Sequence, residues 1–483
     1  MVRKMVLGVV VLVLFGAGPA AAAPATDDAT LAEVVEYLDG QRVELGIPGM
    51  AVAMVEDGEV ILLETFGEAS PGVPVEPDTP FLINSISKSI TAVALVQLVD
   101  QGLVDLDAAV TDYIPELSPG ADDVTVRDLL HHSAGLTAYD EVASISDEHD
   151  TLEKTVLRLE PLFGRTDGFQ YTNGAYDTLA LVVERVSGMP FEDYVADRVF
   201  GPIGMADSTV WHAPDDVADG HYDFLFLGYR PHEEVRPGTE LGGAKMYSTV
   251  EDMVRYVGAH LDRSLVEADD LLYRGVVLTP DGIEYGGGLW FEPAGHTDAV
   301  PAFAGSSTNW HDGSSTTFRS DMWFAPELGL GMVILANGND QTDSSWIGQL
   351  SYNTKRIMSG EEPEPVVPTV DPLRRHMKWI VLGLVSAQIL LLLLTVRVLR
   401  RPTPGRGGWA LIGVATIVDL IVLFVMVWAP RALGNIPLSV VMRQPDFRIM
   451  TVMGIALLAW GVARTAIVLT RLGRRSAPVG TTP

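Results

Sequence analysis

The sequence predicts an α+β domain, an α/β sandwich in which an antiparallel β-sheet is flanked by helices and a helical lobe is inserted. A region of three transmembrane helices is predicted to follow it. Strand patterns occur near both ends of the N-terminal part, helical patterns lie between them, and long apolar stretches come last. Strand patterns at both ends of a domain indicate one shared sheet, because each segment has an apolar face to bury.

Residues 1–25 have the pattern of a secretory signal peptide. Arg3 and Lys4 precede an apolar run, and the segment ends in a series of alanines. The apolar run is short for a membrane span, so we expect cleavage near these alanines rather than retention as an anchor. Residues 26–358 are then expected to form an exported domain.

The exported domain begins with helical and hairpin patterns. Asp57 and Gly58 separate two apolar strand patterns, as in a two-residue hairpin. Thr125 and Asp128 have the spacing of a capping box, in which each side chain satisfies a backbone amide at a helix N-terminus. From Gly102 to about Met253 the patterns are mostly helical. The predicted elements are a helix at 31–45, strands at 49–55 and 59–66, and helices at 85–101, from Thr125, and at 175–187.

Strand patterns return at 287–292, 315–324 and 330–336, and a last helix is predicted at 344–358. Together with the N-terminal hairpin, these strands predict one antiparallel sheet whose two halves are separated by the helical lobe. The Pro- and Glu-rich segment 359–377 is typical of an extended linker.

Three apolar stretches at 379–396, 409–428 and 449–469 make up most of residues 378–470. Each is about the 20 residues needed to cross the hydrocarbon core of a bilayer, and buried globular helices are the alternative. Export of the N-terminal domain places that domain on the extracytoplasmic side of the cell membrane. The basic tail at 471–483 is then cytoplasmic.

The charge of the chain is concentrated in the N-terminal domain. Residues 26–373 contain 61 of the 63 acidic residues but 17 of the 33 basic residues, and the formal net charge of the chain is −30. Such a surface repels polyanions, which argues against nucleic acid as a partner. The chain has no cysteine, which excludes disulfides, thiolate metal sites and a cysteine nucleophile.

Ser85 and Lys88 are the first candidate catalytic pair. They lie one helical turn apart at the start of an apolar helix, so both side chains emerge on the same face. A serine hydroxyl becomes a nucleophile when an adjacent base takes its proton, and a buried lysine with a lowered pKa can be that base. This spacing is common by chance, so the interpretation depends on the other motifs.

Tyr171 and Asn173 lie in the loop before a later helix. Tyr171 can carry the proton of the nucleophile if neighbouring cations lower its pKa, and Asn173 can bind a substrate carbonyl group. His131 and His132 close an earlier helix and are candidates for a base or a metal ligand. We favour a structural role for both histidines, since no metal-binding motif accompanies them.

The last candidate motif contains His311 and Gly313, in a segment that is expected to enter a late strand. A lone surface histidine in a turn is the alternative. A glycine here allows a substrate backbone to approach the sheet edge closely. The backbone amides of Ser85 and Ser314 are then expected to form an oxyanion hole, which is usually the largest catalytic contribution. No metal ion or other cofactor is predicted.

The motifs Ser-x-x-Lys, His-His-Ser-Ala-Gly-Leu, Tyr-x-Asn and His-x-Gly occur in this order and resemble those of the class C β-lactamase and penicillin-binding-protein-like serine hydrolases. The resemblance covers roughly residues 30–358 and does not include the membrane tail. It implies an α/β sandwich with a helical lobe and a site between them. It makes Ser85 the acylated nucleophile, Lys88 and Tyr171 the proton-transfer pair, and Asn173 and His311 substrate-positioning residues.

One position departs from the penicillin-recognising members of this family, which have a lysine where this chain has His311. A lysine there helps to bind a substrate carboxylate, whereas histidine is largely neutral near pH 7 unless its pKa is raised. This difference weakens the case for a penicillin substrate.

The predicted function is an exported, membrane-anchored serine hydrolase that forms a Ser85 acyl-enzyme on an ester, an amide or a D-amino-acid peptide. Its expected partners are such small molecules or cell-wall peptides and the lipid bilayer. A true β-lactamase is one alternative. The other is a weakly catalytic penicillin- or peptide-binding sensor, for which Asp419 and Arg464 inside the predicted spans are functional candidates.

Overall fold

The computed structural model describes most of the N-terminal domain and part of the C-terminal region. The described residues are 23–136, 151–164, 168–223, 228–234, 241–267, 270–273, 277–278, 283–296, 300–339, 345–367 and 377–400, with isolated helical positions between 410 and 463. Residues 1–22 of the predicted signal peptide, most of the second and third predicted spans, Asp419, Arg464 and the tail at 471–483 lie outside them.

Fifteen strands lie in the described part of the chain. They are β1 (Gly49–Glu56), β2 (Glu59–Ser70), β3 (Val73–Pro74), β4 (Phe81–Leu82), β5 (Thr209–Val210), β6 (His221–Asp223), β7 (Tyr229–Pro231), β8 (Met246–Ser248), β9 (Val277–Leu278), β10 (Glu284–Gly286), β11 (Leu289–Glu292), β12 (Thr308–Ser314), β13 (Arg319–Ala325), β14 (Leu330–Ala336) and β15 (Gly338–Asn339).

A nine-stranded antiparallel sheet forms the centre of the domain, in the order β3-β2-β1-β14-β13-β12-β11-β10-β9. The pair β1 and β14 runs from Met50 opposite Ala336 to Glu56 opposite Leu330. Since these two strands come from opposite ends of the domain, the predicted antiparallel sheet shared by N- and C-terminal segments is confirmed.

Eleven α-helices lie in the same described ranges. They are α1 (Asp28–Leu45), α2 (Ser87–Asp100), α3 (Val126–Leu130), α4 (Leu152–Leu157), α5 (Asn173–Ser187), α6 (Phe191–Val195), α7 (Gly201–Ile203), α8 (Val250–Leu261), α9 (Asp270–Tyr273), α10 (Trp346–Met358) and α11 (Met377–Leu399).

Helices cover both faces of the central sheet. Ala53 and Val333 belong to the core on the side of α2 and α8, whereas Val52 and Ile334 belong to the core on the side of α1 and α10. All four side chains are fully buried. Each fully buried valine or isoleucine contributes about 1.5 to 3 kcal/mol, which explains why β1 is a continuous apolar run rather than an alternating one.

The helical lobe lies between β4 and β8 in the chain and contains α3 to α7. The prediction that residues from Gly102 to Met253 are mostly helical is incomplete, because β5 to β8 also lie in this segment. These short strands enter two small sheets, in the orders β4-β8-β5 and β15-β6-β7. β8 pairs with β4 directly before the turn that contains Ser85.

The predicted strand at 315–324 is wrong over its first half. Residues 308–314 form β12, a turn covers 315–318, and β13 begins at Arg319. The backbone N–H of Ser315 donates to the Phe318 carbonyl across the turn at 3.1 Å. Threonine is common in strands, so the two threonines of this turn resemble a strand in the sequence. His311 consequently lies within β12, ahead of the residues predicted as the late strand.

Residues 361–367, within the predicted linker, pack along α10. Asn353 exchanges two hydrogen bonds with the backbone of Glu364, at 2.8 and 2.9 Å. Gln349 Oε1 accepts from the backbone N–H of Val367 at 2.8 Å. Among the described residues, no helix combines the length and the hydropathy of a membrane span, so the predicted membrane region is not confirmed.

Candidate active site

Ser85 lies in a sharp turn between β4 and α2. A 3₁₀ turn over Asn84–Ile86 joins these elements. Asn84 has a φ of 53°, in a left-handed region that costs most L-residues about 1 to 2 kcal/mol and that asparagine tolerates better. Its buried Nδ2 donates to the carbonyl oxygens of Leu82 and Phe318, both at 3.3 Å. The sequence analysis missed Asn84, although an asparagine directly before the candidate nucleophile is a signal for such a turn.

Lys88 lies in the first turns of α2 and is fully buried. Its Nζ atom is 3.3 Å from Ser85 Oγ, 2.5 Å from Asn173 Oδ1 and 2.8 Å from the Gly243 carbonyl oxygen. A buried polar group without such partners costs about 1 to 3 kcal/mol. The structure therefore brings together Ser85, Lys88 and Asn173, and Lys88 links three separate parts of the chain.

The Gly242-Gly243 segment lies against the start of α5. A Cβ atom on Gly242 would lie 2.3 Å from the Tyr176 carbonyl oxygen, and one on Gly243 would lie 3.0 Å from Asn173 Cβ. Asp177 Oδ1 accepts from the Gly242 backbone N–H at 2.8 Å. Because neither glycine has a Cβ atom, the segment can lie close enough to α5 for the Gly243 carbonyl oxygen to accept from Lys88 Nζ. The sequence analysis assigned this segment no role, although a Gly-Gly pair is a signal of close backbone contact.

Tyr171 lies between Lys88 and the His-x-Gly motif of His311 and Gly313. It precedes Asn173, the first residue of α5, by two residues. Lys88 Nζ is 4.7 Å from the centroid of the Tyr171 ring, which is a cation–π distance. The Tyr171 hydroxyl is 3.4 Å from His311 Nε2. The three predicted motifs therefore meet at one place.

His311 is buried on β12 and faces Tyr171. Its Nδ1 atom is 2.6 Å from the carbonyl oxygen of Asp312. Burial, with a smaller contribution from nearby Lys88, lowers the pKa of His311 to about 4, although Asp312 opposes this shift. The imidazole is therefore neutral near pH 7, and His311 does not provide a fixed cation for a substrate carboxylate.

Gly313 places the end of β12 against the serine turn. A Cβ atom at this position would lie 2.3 Å from the Ile83 carbonyl oxygen and 2.9 Å from Asn84 Cβ, so only glycine permits the contact. Ser320 Oγ donates to the same Ile83 carbonyl at 2.8 Å. Gly313 thus brings the end of β12 into contact with the turn that carries Ser85. The oxyanion hole formed by the backbone amides of Ser85 and Ser314 stays a prediction.

Glu234 holds the turn that follows Ser314. Its carboxylate accepts from Ser315 Oγ at 2.9 Å and from the backbone N–H groups of Thr316 and Thr317 at 3.4 and 3.0 Å. The Thr317 hydroxyl also donates to it. Burial raises the pKa of Glu234, and these donors oppose that shift. The sequence analysis did not find this residue, because nothing local links it to a turn about 80 positions away.

His131 and His132 are both buried, and the structural role predicted for them stays a prediction. His132 packs among the rings of Tyr171, Tyr176 and Tyr285, with centroid distances of 4.6, 5.0 and 4.9 Å. Burial lowers the pKa of His131 to about 4 and that of His132 well below its usual value. Within the described ranges, no group of three or more His, Cys, Asp or Glu side chains is arranged to hold a metal ion.

Tyr176 and Tyr285 lie directly behind the site and were not predicted. Both are fully buried. The Tyr176 hydroxyl donates to the Leu130 carbonyl at 3.0 Å, and the Tyr285 hydroxyl is 3.4 Å from His311 Nε2. Buried tyrosines usually satisfy their hydroxyls, so these rings and hydroxyls form one packed polar cluster around His311.

The geometry agrees with comparisons to known proteins. A family profile described as Beta-lactamase matches residues 28–346. A beta-lactamase from Yersinia enterocolitica is 26% identical over 328 residues, covering 61% of this chain and 83% of the relative. Esterase EstB from Burkholderia gladioli is 30% identical over 369 residues, covering 64% of this chain and 91% of the esterase. A solved class C beta-lactamase has a TM-score of 0.59 at 20% identity, covering 71% of this chain and 99% of that structure.

The fold and the comparisons define an enzyme of the serine hydrolase type with the architecture of class C β-lactamases. The chain belongs to the beta-lactamase family. The family resemblance inferred from the four motifs and the α+β architecture of the N-terminal domain are thus confirmed.

We expect Glu234→Gln to weaken the turn after Ser314. The amide places an N–H group where the carboxylate now accepts, and each lost hydrogen bond to a charged group costs about 1.5 to 3 kcal/mol before relaxation. Hydrolytic activity is expected to fall by about tenfold, since that is the effect of about 1.4 kcal/mol on a rate. The kcat/KM of the purified protein on an activated ester measures this effect. The exposed Glu233→Gln is the matched control, and equal rates for the two variants would contradict the role of Glu234.

Proposed function

We propose that this protein is an exported, membrane-anchored serine hydrolase that cleaves ester or amide bonds through a Ser85 acyl-enzyme. The observation that carries the proposal is the contact between Ser85 Oγ and the fully buried Lys88 amine at 3.3 Å, with Tyr171 beside the same amine. A nucleophile and its base at such a distance are the usual requirement for covalent catalysis.

In the acylation step, Ser85 Oγ attacks the substrate carbonyl carbon and loses its proton to the Lys88 and Tyr171 pair. A neutral Lys88 amine accepts this proton directly, whereas a Lys88 ammonium stabilises a Tyr171 phenolate, which then accepts the proton. The backbone amides of Ser85 and Ser314 hold the negative oxygen of the tetrahedral intermediate. The same pair then returns the proton to the leaving alcohol or amine, and the bond to the leaving group breaks.

In the deacylation step, water attacks the carbonyl carbon of the acyl-enzyme. The proton of the water passes to the same pair and then to Ser85 Oγ as the ester bond breaks. The products are a carboxylic acid and the free enzyme. Asn173, which already accepts from Lys88, is placed to donate its amide N–H to the substrate.

Neutral esters and amides are the substrates that the site supports best. His311 is neutral near pH 7, because burial lowers its pKa to about 4. Arg319 is tied to Asp312 at 2.7 Å rather than directed at Ser85. The relative EstB, by its name an esterase, supports this choice. A β-lactamase activity is the second candidate, favoured by the Yersinia enterocolitica relative.

Export and membrane anchoring rest on the sequence and on one structural observation. The apolar run and alanines of residues 1–25 support export. Several large apolar side chains of α11 are exposed, among them Trp379 at 63% and Leu393 at 61%. An exposed apolar helix after an exported domain supports contact with the bilayer. The catalytic domain is then extracytoplasmic, and the basic tail is cytoplasmic.

Ser85→Ala is expected to abolish covalent labelling by a fluorophosphonate probe, because the variant lacks the nucleophilic oxygen. In-gel fluorescence and intact-mass measurement of wild type and variant check this result. Ser89→Ala, which changes a buried serine one turn further along α2, is the matched control and should still be labelled. Labelling of the Ser85 variant at the wild-type rate would disprove the nucleophile assignment.

The neutral His311 side chain predicts a preference for uncharged substrates. We expect kcat/KM for a p-nitrophenyl ester to exceed that for nitrocefin by about 100-fold, the effect of about 2.7 kcal/mol of missing transition-state binding. Steady-state kinetics with both substrates on one preparation measures the ratio. Rapid nitrocefin turnover with slow ester cleavage would favour the β-lactamase alternative.

Anchoring predicts that the full-length chain sediments with membranes and stays there after washing at high pH. A variant that ends after residue 367 should be recovered in the soluble extracytoplasmic fraction, since it lacks every predicted span. Immunoblotting of the fractions compares the two chains. Release of the full-length chain by the wash would contradict a spanning anchor.

A further inference from the structure

A second cavity lies on the opposite face of the central sheet from the catalytic cleft. It has a volume of about 350 Å³ and lies between the strands β11 to β13 and the helix α10. Cavities of this size are typical of small-molecule sites. Its wall combines aromatic rings with charged and hydroxyl groups, among them those of Trp310, Trp323, Asp321, Ser351 and Lys355. None of these residues belongs to the proposed active site.

The amine of Lys355 is a donor on this wall that lacks an acceptor. Its Nζ atom lies over the Trp323 ring, 4.5 Å from the centroid, and 5.6 Å from the centroid of the Phe303 ring. In the described part of the chain, this amine forms no hydrogen bond and no ion pair. Burial lowers the pKa of Lys355 to about 8, and the charges of Glu292 and Asp321 oppose that shift only in part. Three N–H donors are therefore left for a ligand.

The indole N–H of Trp323 is a second donor of this kind. Trp323 is fully buried, and within the described ranges its Nε1 atom has no hydrogen-bond partner. Buried indole N–H groups usually have a partner, because an unsatisfied donor is destabilising. Since the Lys355 amine lies over the same ring, both donors are at one part of the wall. Two neighbouring donors, one of them cationic, match the two oxygens of a carboxylate.

The carboxylates of the cavity wall have other partners. Asp312 forms an ion pair with Arg319 at 2.7 Å. Asp321 accepts from a serine hydroxyl of α10, and burial raises its pKa to about 7, so it is partly protonated near neutral pH. Glu292 lies 3.3 Å from His296 Nδ1. Among the described residues, the lysine amine is thus the charged group of the wall that lacks a hydrogen-bonded or ion-paired partner.

We propose that this cavity is a binding site for a small organic carboxylate with an aromatic or apolar body. The carboxylate accepts hydrogen bonds from Lys355 Nζ and Trp323 Nε1. The body of the ligand lies against the partly exposed ring of Trp310, which lines the same cavity. This site goes beyond the proposed hydrolase activity and does not depend on the chemistry of Ser85.

Phenylacetate, phenylacetamide and phenethylamine test which charge the cavity binds, since the three probes share one apolar body. We expect phenylacetate to bind the full chain with a dissociation constant of about 1 mM or lower, and the other two to bind at least about tenfold more weakly. Isothermal titration calorimetry at pH 7 measures the three affinities. Tighter binding of phenethylamine would show that the acidic groups dominate the cavity and would overturn the proposal, as would the absence of saturable phenylacetate binding.

Two substitutions distinguish binding in this cavity from binding in the catalytic cleft. Lys355→Met keeps an apolar side chain but removes the amine, and is expected to weaken phenylacetate binding at least about tenfold. Gly348 of α10 lines the cavity, and a Cβ atom there would meet no atom within 4 Å. Gly348→Leu should therefore fill the space without a clash and abolish binding, whereas Gly348→Ala should bind as wild type does. The exposed Lys154→Met is the control for the loss of a charge.

The pH dependence of phenylacetate binding is an independent readout. A bound carboxylate favours the ammonium form of Lys355, so binding should weaken as the pH rises through its pKa of about 8. Ionisation of Asp321, whose pKa is about 7, acts in the same direction. The titratable and charged groups that line the cavity are Glu292 of β11, Asp312 of β12, Arg319 and Asp321 of β13, and Tyr352 and Lys355 of α10.

Wild-type affinity for phenylacetate in either Lys355→Met or Gly348→Leu would disprove the site. The thermal midpoint and the ester kcat/KM of each variant show whether it is folded. If Lys355→Met does not fold, Gly348→Leu still decides the question, because leucine replaces a glycine in a helix, where it is the better helix former. Absence of Ser85 labelling in a wild-type chain that binds phenylacetate would instead disprove the proposed function and leave the cavity site valid.

Discussion

The burial of the Lys88 amine is the constraint on which the catalytic cleft depends. The amine is surrounded by groups from three separate elements, Ser85 from the turn before α2, Asn173 from α5, and the carbonyl of Gly243. An amine removed from water without acceptors is strongly destabilising, so these elements have to remain in contact. The glycines at 242 and 243, which leave room for that contact, follow from the same requirement.

The second constraint is the alternation of side chains along β12. Successive residues of a strand point to opposite faces of the sheet, so His311 and Gly313 face the cleft while Asp312 faces the side of α10. Asp312 there pairs with the buried Arg319. The Asp312–Arg319 ion pair thus lies on the face of the sheet toward α10, and the neutral His311 imidazole lies on the face toward the cleft. The His-x-Gly motif therefore presents no fixed cation to the cleft.

Local interactions could be predicted from the sequence with good accuracy. The capping box at Thr125 has both of its hydrogen bonds, at 3.1 and 3.0 Å, because residues three apart meet wherever a helix begins. The hairpin at Asp57 and Gly58 is present, with both residues at positive φ. The first half of the predicted strand at 315–324 was wrong, because residues 315–318 form a turn that Glu234 holds and no local pattern contains that contact.

The sequence by itself determined the α+β class, the pairing of Ser85 with Lys88, and the order of the motifs that belong to the beta-lactamase family. These features depend on apolar periodicity and on short spacings along the chain. The regular geometry of helices and strands then fixes which side chains share a face. Only the tertiary structure decided the contacts of His311, those of Asn84, Gly243 and Tyr285, and the anchoring of the turn by Glu234. Each of these depends on atoms that are distant in the chain and become neighbours only when the sheet and the helical lobe pack together.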